Sequence, residues 1–154
     1  MTNTPYPAPN FNLPDADGDM HQLSDYAGRW IVLYFYPKDD TPGCTIEACS
    51  LRDARDDIAA LGAEIIGVSR DDAASHDKFK AKHSLNFTLL TDTDKVTMDA
   101  YGAWGKKQFG VEGVLRKTFI IDPSGRVVKA YGRVTPLGHG KQIAEELQKL
   151  QSVK

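Results

Sequence analysis

The sequence predicts an α/β fold of three layers, in which a mixed central β-sheet is flanked by helices on both faces. Three observations support this prediction. A continuous apolar and aromatic run at 30–36 is typical of a strand buried on both faces, as in parallel sheets. Helical and strand patterns alternate after that run. The chain then closes with two strands joined by a tight turn and one amphipathic helix.

Composition indicates an ordinary globular protein. The chain has 154 residues, of which 41% are hydrophobic and 26% are charged, so we expect a single domain over 1–154 with its own core. The net charge of −2 and the scattered basic residues predict neither a nucleic-acid nor a membrane partner. The longest apolar run is too short to span a bilayer, and the polar start at 1–10 does not resemble a signal peptide. We therefore expect a cytoplasmic location.

An N-terminal β-hairpin is the first predicted feature. The segments 11–13 and 20–23 flank a turn at 15–19 that is rich in Asp and contains Gly. A single helical turn at 24–28 follows the hairpin. The buried strand comes next and ends at Pro37, because proline cannot donate to the sheet.

A long helix is predicted over 41–61. Thr41 and Pro42 suit its cap and first turn, and Gly62 suits its end. Helical spacing predicts one buried face, formed by Ile46, Cys49, Ala54, Ile58 and Leu61.

The rest of the chain continues the alternation. A strand is predicted at 63–69, followed by a helix from Asp71 or Asp72 to about 83 with Ala74, Phe79 and the methylenes of Lys82 inward. The later predicted elements are a strand at 87–90, a helix at 95–101, a Gly-rich loop at 102–113, strands at 117–122 and 126–131, and a helix at 139–150. The turn at 123–125 makes the last two strands a hairpin. This order fits a thioredoxin-like architecture.

Cys44 is the first candidate for chemistry. It follows the C-terminal end of a buried strand, where open α/β sheets bind ligands, and it lies in the first turn of a helix. Unpaired N–H groups and the helix dipole favour a thiolate there, and the thiolate is the nucleophilic form. The Thr41 hydroxyl can reach the sulfur or a bound oxygen, and Gly43 permits close backbone approach. Alternatively, Cys44 is a small buried hydrophobe behind a helix cap.

Cys49 lies five residues after Cys44 on the same predicted helix. Ideal helix geometry separates their Cα atoms by roughly 8–9 Å, whereas a disulfide requires less than about 7 Å. The two sulfurs therefore cannot bond while the helix is intact. Either they never meet, or the first helical turns unwind and the pair acts as a redox switch.

The residues around these cysteines resemble the peroxiredoxin active-site motif. P-x-x-x-T-x-x-C is present as Pro37, Thr41 and Cys44, and its continuation to Cys49 is similar to the peroxiredoxin Q group, also called bacterioferritin comigratory protein. Three further segments with similar motifs extend the resemblance over nearly the whole chain: 9–15 (PNFNLPD), 101–106 (YGAWGK) and 116–122 (RKTFIID).

The resemblance implies a role for each matching residue. Cys44 corresponds to the peroxidatic cysteine and Cys49 to the resolving cysteine. Thr41 corresponds to the hydroxyl that bonds the thiolate and the substrate oxygen, and Pro37 to the residue that shields the site from water. Arg116 corresponds to the arginine that favours the thiolate and polarises the peroxide. Without the motif, Arg116 would be interpreted as a solvated charge at a strand end.

The implied activity is a thiol-dependent peroxidase that reduces hydrogen peroxide and organic hydroperoxides. It would pass through a sulfenic acid and an intramolecular disulfide, and thioredoxin or a similar dithiol would recycle it. We expect no cofactor, no metal and a monomer. One alternative is a thiol–disulfide oxidoreductase, although that chemistry usually uses C-x-x-C. Another is a non-catalytic redox-sensing domain.

Other polar and aromatic residues receive less specific interpretations. Glu47 could steady the helix N-terminus, pair with Arg116 or remain an exposed carboxylate. Trp104 and Phe109 are expected to pack the long loop rather than line a pocket mouth. The four histidines are dispersed and lack the spacing of metal ligands.

Overall fold

The structure, a computed structural model, describes residues 4–107 and 110–152. The elements, in chain order, are β1 (Tyr6–Pro7), β2 (Asn12–Pro14), β3 (Met20–Gln22), a 3₁₀ turn (Leu23–Tyr26), β4 (Trp30–Phe35), α1 (Pro42–Ala60), β5 (Ala63–Ser69), α2 (Ala73–His83), β6 (Thr88–Thr91), α3 (Val96–Tyr101), β7 (Trp104–Lys106), β8 (Glu112–Val114), β9 (Lys117–Ile121), β10 (Arg126–Tyr131) and α4 (His139–Ser152). Within these described ranges, no helix combines the length and apolar content needed to span a membrane.

The central sheet is mixed, as predicted. Its strand order is β1-β10-β9-β4-β5-β6. The strands β4, β5 and β6 are mutually parallel and are connected through α1 and α2. The strands β9, β10 and β1 extend the other side of β4 in antiparallel register. The strands β2 and β3 form the predicted N-terminal hairpin.

Alternating side chains of β4 separate two cores, one on each face of the sheet. Ile31, Leu33 and Phe35 pack with residues of α3 and the N-terminal segment. Val32 and Tyr34 face the helices α1, α2 and α4. Every residue of β4 except Trp30 is at most 1% exposed, which explains why this strand has no polar position. The helices on both faces complete the three predicted layers.

The ends of α1 follow the sequence signals, but its buried face differs from the prediction. Thr41 is the N-cap residue, Pro42 starts the helix, and Gly62 follows its end with a left-handed φ of +77°. Ile46, predicted to be buried, is 46% exposed. The buried positions are Cys44, Glu47, Ala48, Leu51 and Ile58. The inward face is therefore rotated away from Ile46. It includes the carboxylate of Glu47, which can be buried because it pairs with Arg116, a residue distant in sequence.

Two other predictions were wrong, and one strand was missed. The expected loop at 102–113 contains the antiparallel hairpin β7–β8. On α2, Ala74 and Lys82 are exposed, whereas the polar His76 is fully buried. The two-residue strand β1 was not predicted. Trp104 lies on β7 and packs against the core that contains α3. Phe109 lies outside the described residues.

Candidate active site

Cys44 lies where the C-terminal edge of the sheet meets the start of a helix. The loop 37–41 leaves β4, and Cys44 is the third residue of α1. Its thiol is free and only 1% exposed. The N–H groups of the first helical turn have no partner within the helix, and they carry the positive end of the helix dipole. The sulfur therefore lies at the positive end of the helix dipole and is shielded from bulk water.

Arg116 reaches the same sulfur from the other side of the sheet. Antiparallel pairing places Phe35, the last residue of β4, opposite Lys117 of β9, so the residue just before β9 lies beside the C-terminal end of β4. The Arg116 Nη2 donates to Cys44 Sγ at 3.4 Å. A Cβ atom on Gly43 would lie 3.1 Å from the same Nη2, so the glycine makes room for the guanidinium. The pair joins residues that are 72 positions apart.

Glu47 is the second partner of Arg116. Its Oε1 accepts from Arg116 Nη1 at 2.7 Å, and its side chain is fully buried. Burial raises the pKa of Glu47 to about 7, and the attraction of Arg116 offsets only part of that effect. Its other oxygen, like the hydroxyl of Tyr34, has no hydrogen-bond partner among the described residues. Of the three interpretations of Glu47 considered above, the structure supports pairing with Arg116.

The charge of Arg116 is set by the same two neighbours. Burial opposes its positive charge, but the nearby sulfur of Cys44 and the carboxylate of Glu47 outweigh that cost and raise the pKa of Arg116. The guanidinium therefore stays charged and holds two acceptors with its forked N–H groups. A cation fixed in this way can act on the sulfur and on a bound oxygen.

Thr41 and Pro37 lie in the loop that precedes Cys44, and the Thr41 hydroxyl forms its hydrogen bond with the backbone rather than with the sulfur. The Thr41 hydroxyl donates to the Lys38 carbonyl at 2.8 Å, and its own carbonyl accepts from the Thr45 N–H at 2.8 Å. Its hydroxyl oxygen keeps lone pairs that can accept a further hydrogen bond. Pro37 is half-buried directly after Tyr36.

Cys49 lies on the same helix as Cys44 and is half-buried. The helix α1 is continuous through both residues, and both thiols are free. The structure therefore shows the reduced arrangement, in which the two sulfurs are not bonded to each other.

Sequence reasoning missed two buried polar residues beside the site. Asp39 is 6% exposed and His76 is fully buried, and they contact each other. Asp39 lies inside the segment that carries the active-site motif, but His76 is 37 residues away. No local pattern relates the two. By contrast, the three-residue spacing from Cys44 could have placed Glu47 on the inward face.

Comparison with known proteins agrees with this geometry. The model of the AhpC/TSA family matches residues 5–130. Peroxiredoxin Bcp of Bacillus subtilis is 48% identical over 149 residues, which cover 95% of this chain and 93% of that protein. Peroxiredoxin Bcp of Escherichia coli is 42% identical over 123 residues, which cover 78% and 79% of the two chains.

Solved structures show the same fold. A structure of the Xanthomonas campestris bacterioferritin comigratory protein, described with its alkyl peroxide reduction activity, superposes with a TM-score of 0.87 at 37% identity and covers 91% of each chain. A mutant of Xylella fastidiosa PrxQ superposes with a TM-score of 0.92 at 33% identity and covers 98% of each chain. The chain therefore belongs to the AhpC/TSA family and, within it, to the Bcp/PrxQ peroxiredoxins.

Proposed function

We propose that this peroxiredoxin reduces hydrogen peroxide and organic hydroperoxides by a cycle in which Cys44 is oxidised and Cys49 resolves the product. The observation that supports this assignment is the contact of 3.4 Å between the Arg116 guanidinium and the Cys44 sulfur at a helix N-terminus. Both features favour the thiolate, which a two-electron attack on a peroxide requires.

In the first step the Cys44 thiolate attacks one peroxide oxygen. A sulfur–oxygen bond forms, the oxygen–oxygen bond breaks, and the departing oxygen leaves as water or an alcohol after it takes a proton. Arg116 would stabilise the charge that develops on that oxygen. The Thr41 hydroxyl, whose hydrogen is directed to Lys38, would accept a hydrogen bond from the peroxide O–H.

In the second step Cys49 attacks the sulfenic sulfur of Cys44. The disulfide forms and the sulfenic oxygen leaves as water, so the two electrons taken by the peroxide come from the pair of thiols. Because both cysteines lie on the continuous helix α1, its first turns must unwind before the sulfurs meet. The oxidised state would therefore have a shorter α1.

An external dithiol would then return both cysteines to thiols by disulfide exchange. We propose thioredoxin or a protein of similar chemistry for this step, and a cytoplasmic location, where such reductants keep thiols reduced. We expect a monomer to suffice, because one helix of one chain supplies both cysteines of the cycle. Unwinding of the first turns of α1 would make the disulfide more accessible to that partner.

The cycle is tested by steady-state peroxide consumption with thioredoxin, thioredoxin reductase and NADPH. We expect NADPH oxidation that depends on both the chain and peroxide. Reduction of insulin disulfides without peroxide turnover would indicate a thiol–disulfide oxidoreductase instead. A single stoichiometric oxidation without turnover would indicate a redox sensor.

A further inference from the structure

A network of buried polar side chains lies behind the loop that precedes Cys44, and the steps above do not use it. Its centre is the carboxylate of Asp39. The Tyr36 hydroxyl, directly after β4, donates to Oδ1 at 2.5 Å. The Ser75 hydroxyl donates to Oδ2 at 2.9 Å, and Nδ1 of His76 lies 2.7 Å from the same oxygen. The carboxylate thus joins the end of β4 to α2.

His76 extends this connection to the next strand. Its Nε2 lies 3.1 Å from the carbonyl of Leu90 on β6. A carbonyl can only accept, so Nε2 is the donor to Leu90, and the other ring nitrogen, Nδ1, forms the hydrogen bond with the Asp39 carboxylate. The imidazole is fully buried, where such hydrogen bonds are stronger than in water and costly to leave unmade.

The backbone of the loop 37–41 has an uncommon conformation, and residues of α2 also contact it there. Asp40 has a φ of +59°, a left-handed value that residues other than glycine rarely adopt. Its carboxylate accepts from Lys82 at 2.8 Å and lies 3.0 Å from His83 Nε2. The Asp39 N–H donates to Asp71 at 2.8 Å. Conformations of this kind persist where their surroundings hold them, and they cluster at active sites.

We propose that Asp39 and His76 are positioning residues for the oxidation of Cys44, an inference that rests on the peroxidase function proposed above. Thr41 is the last residue of this loop, and its hydroxyl is oriented by the loop carbonyl of Lys38. The loop therefore sets both the place of Thr41 and the start of α1. Peroxide attack is sensitive to such placement, because an error of about 1 Å in the alignment of reacting groups costs up to roughly 100-fold in rate.

Two substitutions of His76 separate positioning from simple stability. In His76→Asn the amide nitrogen takes the place of Nδ1 and can still donate to Asp39, but it cannot reach Leu90. In His76→Gln the amide nitrogen takes the place of Nε2, so it can reach Leu90 and loses Asp39. Each variant gives up one buried hydrogen bond and should lose a similar amount of thermal stability.

The readout is the second-order rate constant for oxidation of Cys44 by hydrogen peroxide after rapid mixing, measured beside the Tm. We expect His76→Gln to react about 10- to 100-fold more slowly than the wild type, whereas His76→Asn keeps nearly the wild-type rate. Tyr36→Phe removes the hydroxyl that donates to Asp39 and changes the side-chain volume little. Its Cys44 should also be oxidised more slowly than that of the wild type. This variant provides the same test if a His76 variant does not fold.

Lys78→Gly is the matched control on α2. Lys78 is exposed in the interior of the helix, and glycine lowers helix stability there, so the variant should lower the Tm and leave the oxidation rate unchanged. Wild-type rates in both His76→Gln and Tyr36→Phe would overturn the inference, as would a Lys78→Gly variant slowed as much as His76→Gln. A wild-type chain whose Cys44 does not react with peroxide would instead overturn the proposed function itself.

Discussion

At the scale of single residues, the site depends on one cation that is shared by two acceptors. The Arg116 guanidinium donates to the Cys44 sulfur and to the Glu47 carboxylate. The partner Glu47 is buried at a cost, since its pKa is raised to about 7 despite the neighbouring charge. Glu47 thus orients Arg116 but adds little stability when it is ionised. The ion pair therefore fixes the position of the Arg116 guanidinium rather than stabilising the folded protein.

Arg116→Ala should slow the oxidation of Cys44 by about 100-fold, because one fixed donor to the reacting centre is lost. Rapid mixing with hydrogen peroxide measures this rate. Arg126→Ala, at an exposed arginine of β10, is the control and should keep the wild-type rate. A wild-type rate in Arg116→Ala would exclude Arg116 from the chemistry.

Glu47→Gln should remove a pH dependence of stability. The folded pKa of Glu47, about 7, lies above the ordinary value of 4.5, so the folded state retains a proton that the unfolded state releases. The retained proton contributes to the free energy of unfolding. That contribution is fully present below pH 4.5 and is lost as the pH rises through about 7. The wild type should lose roughly 3 kcal/mol over that interval from this group, and Glu47→Gln should not.

Urea denaturation at the two ends of the interval measures the effect. Glu145→Gln, at an exposed carboxylate of α4, is the control. Its free energy of unfolding should decline between the two pH values by as much as that of the wild type. The account of Glu47 fails if the Glu47→Gln variant shows the same decline as the wild type.

At the scale of elements, the proposed cycle requires the start of α1 to unwind, and the contacts of this helix indicate where the unwinding should stop. The Gly140 N–H of α4 donates to the Ser50 hydroxyl at 2.8 Å. A Cβ atom on Gly140 would lie 2.1 Å from the Ser50 carbonyl oxygen, so the two helices are in close contact there. From Leu51 onward, α1 is packed between α4 and the sheet. Unwinding that starts at Pro42 should therefore stop near Ser50.

Hydrogen exchange should detect this boundary. In the reduced protein we expect protected amides from Thr45, whose N–H donates to the Thr41 carbonyl, to about Leu51, and loss of that protection after oxidation to the disulfide. The strand β4 should stay protected in both states. Cys49→Ser should undergo the first oxidation but should not turn over with thioredoxin, and its Cys44 should accumulate as sulfenic acid.

The disulfide form must be verified by mass before exchange is compared, and reduced wild type is the matched reference. Equal protection of the amides at 45–51 in the two states would contradict local unfolding. It would also leave the five-residue separation of the cysteines without a physical explanation.

The elements that the sequence predicted well are those with a strong local signal. The uninterrupted apolar run of β4, the Asp72 cap of α2 and the turn before β10 each identify their element without help from the rest of the chain. The inward face of α1 was mispredicted because its decisive residue, Glu47, is buried only through a partner 69 positions away. The hairpin β7–β8 was missed because its glycines favour a loop by propensity.

At the scale of the whole molecule, the sheet brings distant segments to one edge. The loop 37–41 connects the end of β4 to Cys44. The neighbouring strand β9 begins directly after Arg116, so both residues lie at the same edge of the sheet. The helix α2 contacts the same loop from the side of β5 and β6. Motif residues could be identified from the sequence because their spacing is local. The contribution of α2 could not, because it depends on contacts that only the folded chain creates.

The whole account requires that one sulfur carries the reaction with peroxide. The test is the rate at which wild type and Cys44→Ser consume hydrogen peroxide under the thioredoxin-coupled conditions, with the folded state of both checked by circular dichroism. A serine hydroxyl is too weakly acidic to replace the thiolate, so we predict that Cys44→Ser consumes peroxide no faster than buffer, whereas the wild type turns over. Peroxidase activity clearly above background in folded Cys44→Ser would contradict the account.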